Sequence, residues 1–373
     1  MPMTSSPNSA ERAYAYAKAC GIIGKSFVGK RIPALAKPHS LKELDRLIFP
    51  DSTRELPGRE LLTDLENRIL NRTVRHITMV INSYADPPEL LVRQLRACEY
   101  ADVKTCLHHI ANGNTAPPML SDIGRFGTVH FEKYPDLCGM LAGTEFEFIL
   151  GKFLTTGQAA LRSAEFDFIP LEAELDLRYY TLLAASVRRL NAADRIFAEH
   201  ILAEEISLRN CVWALRLRTY FNKKAGETEK YLLELKMQTV PFHKFEAIPG
   251  DIHPRAEKEK ITEISLADEA RESLFLPLDS RSEWKNWRWA KLLNPERPAE
   301  HWSADPRYFQ NAASQYLYRL SLRCFRRMPS SIGSIFCYIK LKQFEEDMLT
   351  STTEGLGLGM TGNDVFGLLE VPQ

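Results

Sequence analysis

No apolar run in this 373-residue chain is long enough to cross a bilayer. The longest, ITMVI and SIFCYI, fall far short of the ~20 residues a spanning helix needs. A surplus of one charge is missing too, since 48 Lys and Arg balance 48 Asp and Glu. That balance argues against a chain whose affinity rests on neutralising phosphates, while leaving room for a local basic face. No C-x-x-C pair occurs, and the seven cysteines (Cys20, Cys98, Cys106, Cys138, Cys211, Cys324, Cys337) are odd in number and scattered. Reduced, buried thiols of a cytosolic protein look like this. The opening MPMTSSPNSAERAYAYAKA has no basic segment followed by an apolar run and a cleavage site, so no signal peptide is expected. Strand-like alternation is scarce. G-x-S-x-G, H-E-x-x-H and kinase motifs do not appear.

What is present is helical periodicity. Hydrophobic residues make up 45% of the chain, enough for a packed core, and the length suits about two to three domains. Pro and Gly break the periodicity at ANGNTAPPML, FIPLEAE, FNKKAGETE, AIPGDIHPRAEKEK and NPERPAEHWSADP. Three segments share a pattern: PPELLVRQLRACEYADVKTCLHHIANG from Pro87, AADRIFAEHILAEEISLRNCVWALRLR from Ala192, and PSSIGSIFCYIKLKQFEEDMLTSTTEG from Pro329. A helical stretch ending in aromatic and basic residues precedes each. Each copy therefore reads as helix, short loop, helix. The spacing is too long for a solenoid and fits three related modules.

Aligning the second helices superposes Glu99, Glu205 and Gln343, each followed by a large apolar residue (Tyr100, Ile206, Phe344). The polar residue falls inside an apolar stripe: Leu95, Glu99, Val103, Cys106, Ile110 in the first copy and Ile201, Glu205, Leu208, Val212, Leu215 in the second. A polar group on a buried face needs a partner. Glu205, and with it Glu99 and Gln343, is expected to be buried and bonded to Tyr or Arg of the preceding helix or to nearby backbone. A carboxylate at the stripe's exposed margin is the alternative. The third segment, SSIGSIFCYIKLKQFEEDMLT, reads as a strong amphipathic helix with Lys340, Lys342, Glu345, Glu346 and Asp347 as its charged residues.

Chemistry is harder to find. Cys98, Cys106, His108 and His109 form the densest group of soft ligands, but their spacing lacks the close pairs of zinc sites, and buried thiols beside surface histidines explain them better. GLGLGMTGND follows a helix rather than a strand and lacks the lysine of a phosphate loop, so a flexible tail is the better reading. EWKNWRWAKLLNP interleaves Trp284, Trp287 and Trp289 with Lys285, Arg288 and Lys291. A helix packing its aromatic face on its own domain explains it. Base stacking, a membrane interface or a protein-binding surface built on Trp284, Trp287 and Arg288 are the alternatives. No catalytic, cofactor-binding or metal-binding residue is assigned.

The repeated unit resembles the C/d subunit family of rotary V-type and A-type ATPases. LDLRYYTLL, with Tyr179 and Tyr180, and then Glu205, Arg209 and Asn210 match its paired-tyrosine helix and Glu-x-x-x-Arg-Asn pattern. Tyr338, Leu341, Lys342, Gln343 and Glu345 resemble its C-terminal Tyr-x-x-Leu-Lys-Glu-x-Glu run. RAYAYAKACGIIGKSF resembles its opening helix, although Gly21, Gly24 and Gly29 are odd there. Gln343 stands in place of the usual acid, and Asp347-Met348 where Arg-Asn is common. The likeness is weakest from about Lys244 to Asp305.

The resemblance implies an all-α fold of three similar modules in a pseudo-threefold funnel: residues 10–113, 114–226, 227–358 with a Trp-rich insertion, and a tail over 359–373. It implies a non-catalytic central-stalk rotor subunit without cofactor or metal, peripheral on the cytoplasmic face of the membrane. Its implied partners are shaft subunits D and F and the membrane proteolipid ring, with no nucleic acid. A free-standing helical scaffold or adaptor is the alternative, and an enzyme using His108 and His109 a third reading.

Overall fold

The computed structural model describes residues 8–153, 157–163, 166–238, 263–297 and 301–369. As expected, the fold is all-α. The helices are α1 (Ser9–Lys25), α2 (Leu41–Ile48), α3 (Gly58–Ile81), α4 (Glu89–Leu95), α5 (Ala97–Ala111), the short α6 (Leu137–Leu141) and α7 (Phe148–Gly151), and α8 (Phe168–Arg188). They continue with α9 (Ala192–Phe221), α10 (Ala225–Thr228), α11 (Asp268–Ser273), α12 (Pro306–Arg327), α13 (Ile332–Gly357) and α14 (Gly362–Leu369). Among the described residues the only strands are β1 (Lys236–Gln238) and β2 (Glu263–Ser265), antiparallel with Met237 opposite Ile264.

Local chemistry sets the helix starts. Asn8 accepts from the Glu11 backbone N–H at 2.8 Å, and the Glu11 carboxylate accepts from the Asn8 N–H at 3.1 Å, a reciprocal cap on α1. Asn191 caps α9 through the Asp194 N–H at 3.0 Å, and Ser331 caps α13 through the Ser334 N–H at 2.9 Å. The three helix pairs of the sequence are present as α3 with α4–α5, α8 with α9, and α12 with α13. In the first pair the second helix is interrupted at Arg96.

The chain divides into two compact units. One holds the residues up to Tyr179 together with those from Phe325 onward, and the other holds Tyr180–Cys324. These boundaries fall within α8 and α12, so the division does not follow the edges of the three repeated segments.

In the first unit α13 is the central element. The expected amphipathic helix is a buried one: every residue from Ile332 to Ile339 is buried, as are Leu341, Lys342, Glu345, Met348, Leu349, Thr352 and Thr353. It packs against α1, α2, α3, α4 and α14. Burying side chains such as Ile335, Phe336 and Ile339, all fully enclosed, contributes about 1.5–3 kcal/mol each. The glycine segment after it is not a loose tail. Gly359, with φ +83°, turns the chain, and α14 folds back on α13 and on the turn at 35–36. A Cβ at Gly355 would stand 2.3 Å from Val365, and one at Gly362 2.6 Å from the Ala36 carbonyl oxygen. These glycines serve close helix packing rather than a phosphate cradle.

In the second unit α9 and α11 pack together, and the tryptophans form the core beside them. Trp284, Trp287, Trp289 and Trp302 are 0%, 2%, 5% and 8% exposed. Three of their indole N–H groups reach backbone carbonyls: Trp284 to Pro277 at 2.7 Å, Trp287 to Glu269 at 2.9 Å, and Trp302 to Asn294 at 3.0 Å. The candidate interface at Trp284 and Trp287 is thereby corrected, because both rings and both donors are spent inside their own unit. The segment packs on its own domain, though as short 3-10 turns at Arg281–Trp284 and Ala290–Leu292 rather than as a helix.

Asn210 explains how two extended segments are held to α9. Fully buried, it donates to the Leu233 and Leu266 carbonyls at 3.1 and 3.0 Å and accepts from the Leu233 N–H at 2.8 Å. One amide thus satisfies three backbone groups flanking the β1–β2 pair. Asn210→Ala strips partners from buried backbone groups and is expected to cost about 2–4 kcal/mol. Urea unfolding of the full chain measures it, and a loss below about 0.5 kcal/mol would refute the clasp.

Candidate functional site

The second helix of each pair carries buried carboxylate, Glu99 and Asp102 in the first, Asp194 and Glu204 in the second and Glu345 in the third, and one in each pair is held by a different set of partners. In the first pair it is Glu99, 1% exposed. Glu99 accepts from the backbone N–H of Thr128, from that of Val129 at 2.9 Å, and from the Thr128 hydroxyl at 3.1 Å, with Arg96 3.9 Å away. Its partners belong to the loop after the turn at Gly124–Phe126 and to its own helix, not to the preceding helix.

In the second pair it is Glu204, 4% exposed, whose neighbour Glu205 is only partly buried. Glu204 accepts from Arg288 Nη2 at 2.5 Å and from the Tyr316 hydroxyl at 3.2 Å. Arg288 also lies over the Trp289 ring at 4.5 Å, and Trp289 donates to Ser207 at 3.3 Å. Arg288, one of the residues of the alternative protein-binding surface, joins the Trp-rich segment to α9. Glu205 accepts from Tyr180 at 3.0 Å, and Arg209 sits over the Tyr180 ring at 5.5 Å. Both partners lie in the unit of α9, and Tyr180 comes from the paired-tyrosine stretch of the preceding helix.

In the third pair the carboxylate is Glu345, fully buried, two residues beyond the partly exposed Gln343. Glu345 pairs with the equally buried Lys342, accepts from Arg72 Nη2 of α3 at 2.7 Å and from the Phe27 N–H at 2.8 Å. Lys342 also reaches the Ser26 hydroxyl at 3.1 Å. One carboxylate therefore ties α13 to α3 and to the end of α1.

Electrostatics separate the last two. Burial pushes Glu345 up, but Lys342, Arg72 and the Phe27 N–H outweigh it and hold the carboxyl below its ordinary 4.5. At Glu204 burial is opposed by one cation and one phenol and prevails, so that carboxyl is raised. Histidines beside both clusters are held neutral. Burial, then Lys342 and Arg72, lower His76 to about 4, and burial, then Arg288 and Arg323, lower His200 to about 4.

The soft-ligand residues are not gathered. Cys106 is buried, while His108 pairs with Glu172 at 2.7 Å and stacks on Phe168 at 4.1 Å. Among the described residues no group of three or more His, Cys, Asp or Glu is placed to hold a metal. No helix among them is long and apolar enough to cross a membrane. What the clusters do is mechanical: each locks a helix to a neighbouring segment by charge-assisted bonds that resist sliding.

Comparison with known proteins places this architecture. The family described as ATP synthase (C/AC39) subunit matches residues 53–247, covering the first two helix pairs. An uncharacterized protein of Treponema pallidum (strain Nichols) is 22% identical over 349 residues, spanning 93% of this chain and 92% of its own. That likeness runs well beyond the family match.

Two outcomes follow from the clusters. Glu345→Gln strands Lys342 in the interior and is expected to cost about 3–5 kcal/mol, with Glu345→Leu/Lys342→Met recovering most of it. Urea unfolding of the single and double variants decides. For His200, the folded value near 4 lies below the ordinary 6.5, so the unfolded chain binds more protons between those values. Stability contributed by neutral His200 is present above pH 6.5 and is lost as pH falls toward 4. Relative to His200→Gln, wild type should lose up to about 1.4 kcal/mol per pH unit across that window. A flat difference would refute the assignment.

Proposed function

The chain belongs to the ATP synthase (C/AC39) subunit family, and we propose that within a V/A-type ATPase it is the non-catalytic central-stalk subunit that couples the rotor shaft to the membrane proteolipid ring. The family match over residues 53–247 carries this reading. The carboxylate clasps support it physically. A coupling piece transmits torque only if its helices keep their relative places under load. Buried, multiply bonded charges resist displacement because breaking one contact leaves an uncompensated charge in the interior. Close packing of rigid helices supplies the remaining stiffness.

In this reading the three helix pairs are three modules, residues 10–113, 114–226 and 227–358, arranged about a pseudo-threefold axis. Shaft subunits D and F seat on one side and the proteolipid ring on the other, and the subunit is peripheral on the cytoplasmic face. Function then needs shape and distributed contact, with no cofactor and no group tuned for proton transfer.

The test is biochemical. The isolated chain should hydrolyse no ATP, should co-purify with a membrane-bound ATPase from its own cells, and should bind purified shaft subunits at micromolar concentration. Single alanine changes on the binding wall should weaken shaft binding only modestly. A folded sample that binds neither shaft nor ring would replace this reading with that of a free-standing helical scaffold.

A further inference from the structure

The Glu345 clasp lies beside more positive charge than it can neutralise. Arg31 and Arg72 both address the Phe27 ring, with guanidinium carbons 5.2 and 5.8 Å from its centroid. Arg75 stands one turn beyond Arg72 on α3, and the charges of Arg31 and Arg75 both oppose that of Arg72. Lys342 adds another cation beneath them. Against these, the carboxylate paired at this place is Glu345, already committed to Lys342, Arg72 and the Phe27 N–H. Arg31 donates to the Lys25 carbonyl at 2.9 Å, and among the described residues neither it nor Arg75 has a carboxylate within ion-pair distance. Both are exposed, whereas the Arg72 side chain is 13% exposed.

Such an arrangement works against folding: the charges of Arg31 and Arg75 crowd a largely buried guanidinium whose one carboxylate partner, Glu345, is shared with Lys342. One turn earlier on the same helix Arg68 is matched, since it pairs with Asp45 at 2.8 Å and with Asp64 at 3.2 Å. Arg72, Arg75 and Met79 fall on one face of that helix (spacings i, i+3, i+7), and Met79 is 41% exposed.

We propose that Arg31, Arg75 and Met79, backed by Arg72, form a docking surface for an acidic amphipathic segment of a partner protein. Charge complementarity identifies the occupant. Two guanidiniums present planar forks suited to carboxylates. An exposed methionine one turn away asks for an apolar neighbour, and Arg and Met together are enriched at protein interfaces. The matching segment carries two or more carboxylates within about one helical turn of an apolar side chain. Its arrival supplies the counter-charge the cluster lacks. The proposal rests on the reading of the chain as an assembly subunit only in that it needs a protein partner.

The experiment replaces Met79 of the full-length chain by a photo-crosslinking amino acid, irradiates intact cells, and identifies the joined peptide by mass spectrometry. The expected product is a peptide with that acidic amphipathic pattern, and its yield should fall roughly tenfold in an Arg31→Glu/Arg75→Glu background. Arg75→Gln, which relieves repulsion, should melt at or above the wild-type midpoint while lowering the crosslink yield. Attachment to lipid, nucleic acid or nothing overturns the proposal. So does a yield indifferent to charge reversal, or an Arg75→Gln protein that melts lower because the side chain serves the fold. A crosslink to an acidic segment outside any ATPase supports the docking surface and counts against the stalk assignment. No crosslink in a chain that still co-purifies with ATPase subunits removes the surface and leaves the assignment standing.

Discussion

A buried ion pair on a central helix is the constraint around which the first unit is organised. Lys342 and Glu345 sit one turn apart on α13 with essentially no exposure. Ions removed from water need near-complete pairing and hydrogen bonding. The unit meets that demand by bringing three groups from two other elements to one point: Arg72 from α3, and the Ser26 hydroxyl and Phe27 N–H from the end of α1. The need to satisfy these two charges accounts for why chain segments separated by hundreds of residues converge here. Apolar packing along Ile335, Phe336 and Ile339 supplies most of the energy, but it is tolerant of sliding. The ion cluster is not, and it fixes the register of α13 against α3.

The other pairs show the same problem solved by different means. Glu99 is held mainly by backbone N–H groups of a loop, Glu204 by one arginine and one tyrosine, Glu345 by two cations and a backbone N–H. The opposite directions of the Glu204 and Glu345 shifts follow from this count of partners.

Helix pairs were legible because apolar periodicity and Pro–Gly breaks mark them without reference to tertiary structure. Tyr180 as the partner of Glu205, and the wholly interior stripe from Leu95 to Ile110, could be anticipated from spacing. The inward residues at 204 and 345 could not. A helix rotates 100° per residue, so a one- or two-residue offset in aligning loose repeats exchanges margin for interior. Lys342 and Glu345 read as a solvated face because sequence does not show that α3 and the end of α1 close over it. The tryptophans between Trp284 and Trp302 carried an ambiguous signal, since aromatic residues beside cations serve a core and an interface equally well. Their internal hydrogen bonds decide the matter. The C-terminal glycines looked like a loose end because small residues that permit close helix contact have the same composition as a flexible linker.

The first unit is assembled from both ends of the described chain, with the second inserted between Tyr179 and Phe325. This has a consequence for biosynthesis. A nascent chain emerges from the ribosome N-terminus first, and domains generally fold as units in that order. Here α1 to α5 must leave the ribosome without α13, the helix that fills their centre and supplies the lysine and carboxylate to which Arg72, Ser26 and Phe27 are bonded. The inserted unit reaches its last residue, Cys324, before α13 begins at Ile332, so the middle of the chain is positioned to close before the beginning does. The early helices meanwhile expose their apolar faces for the time it takes to translate the remainder, the interval in which a chaperone has most to protect.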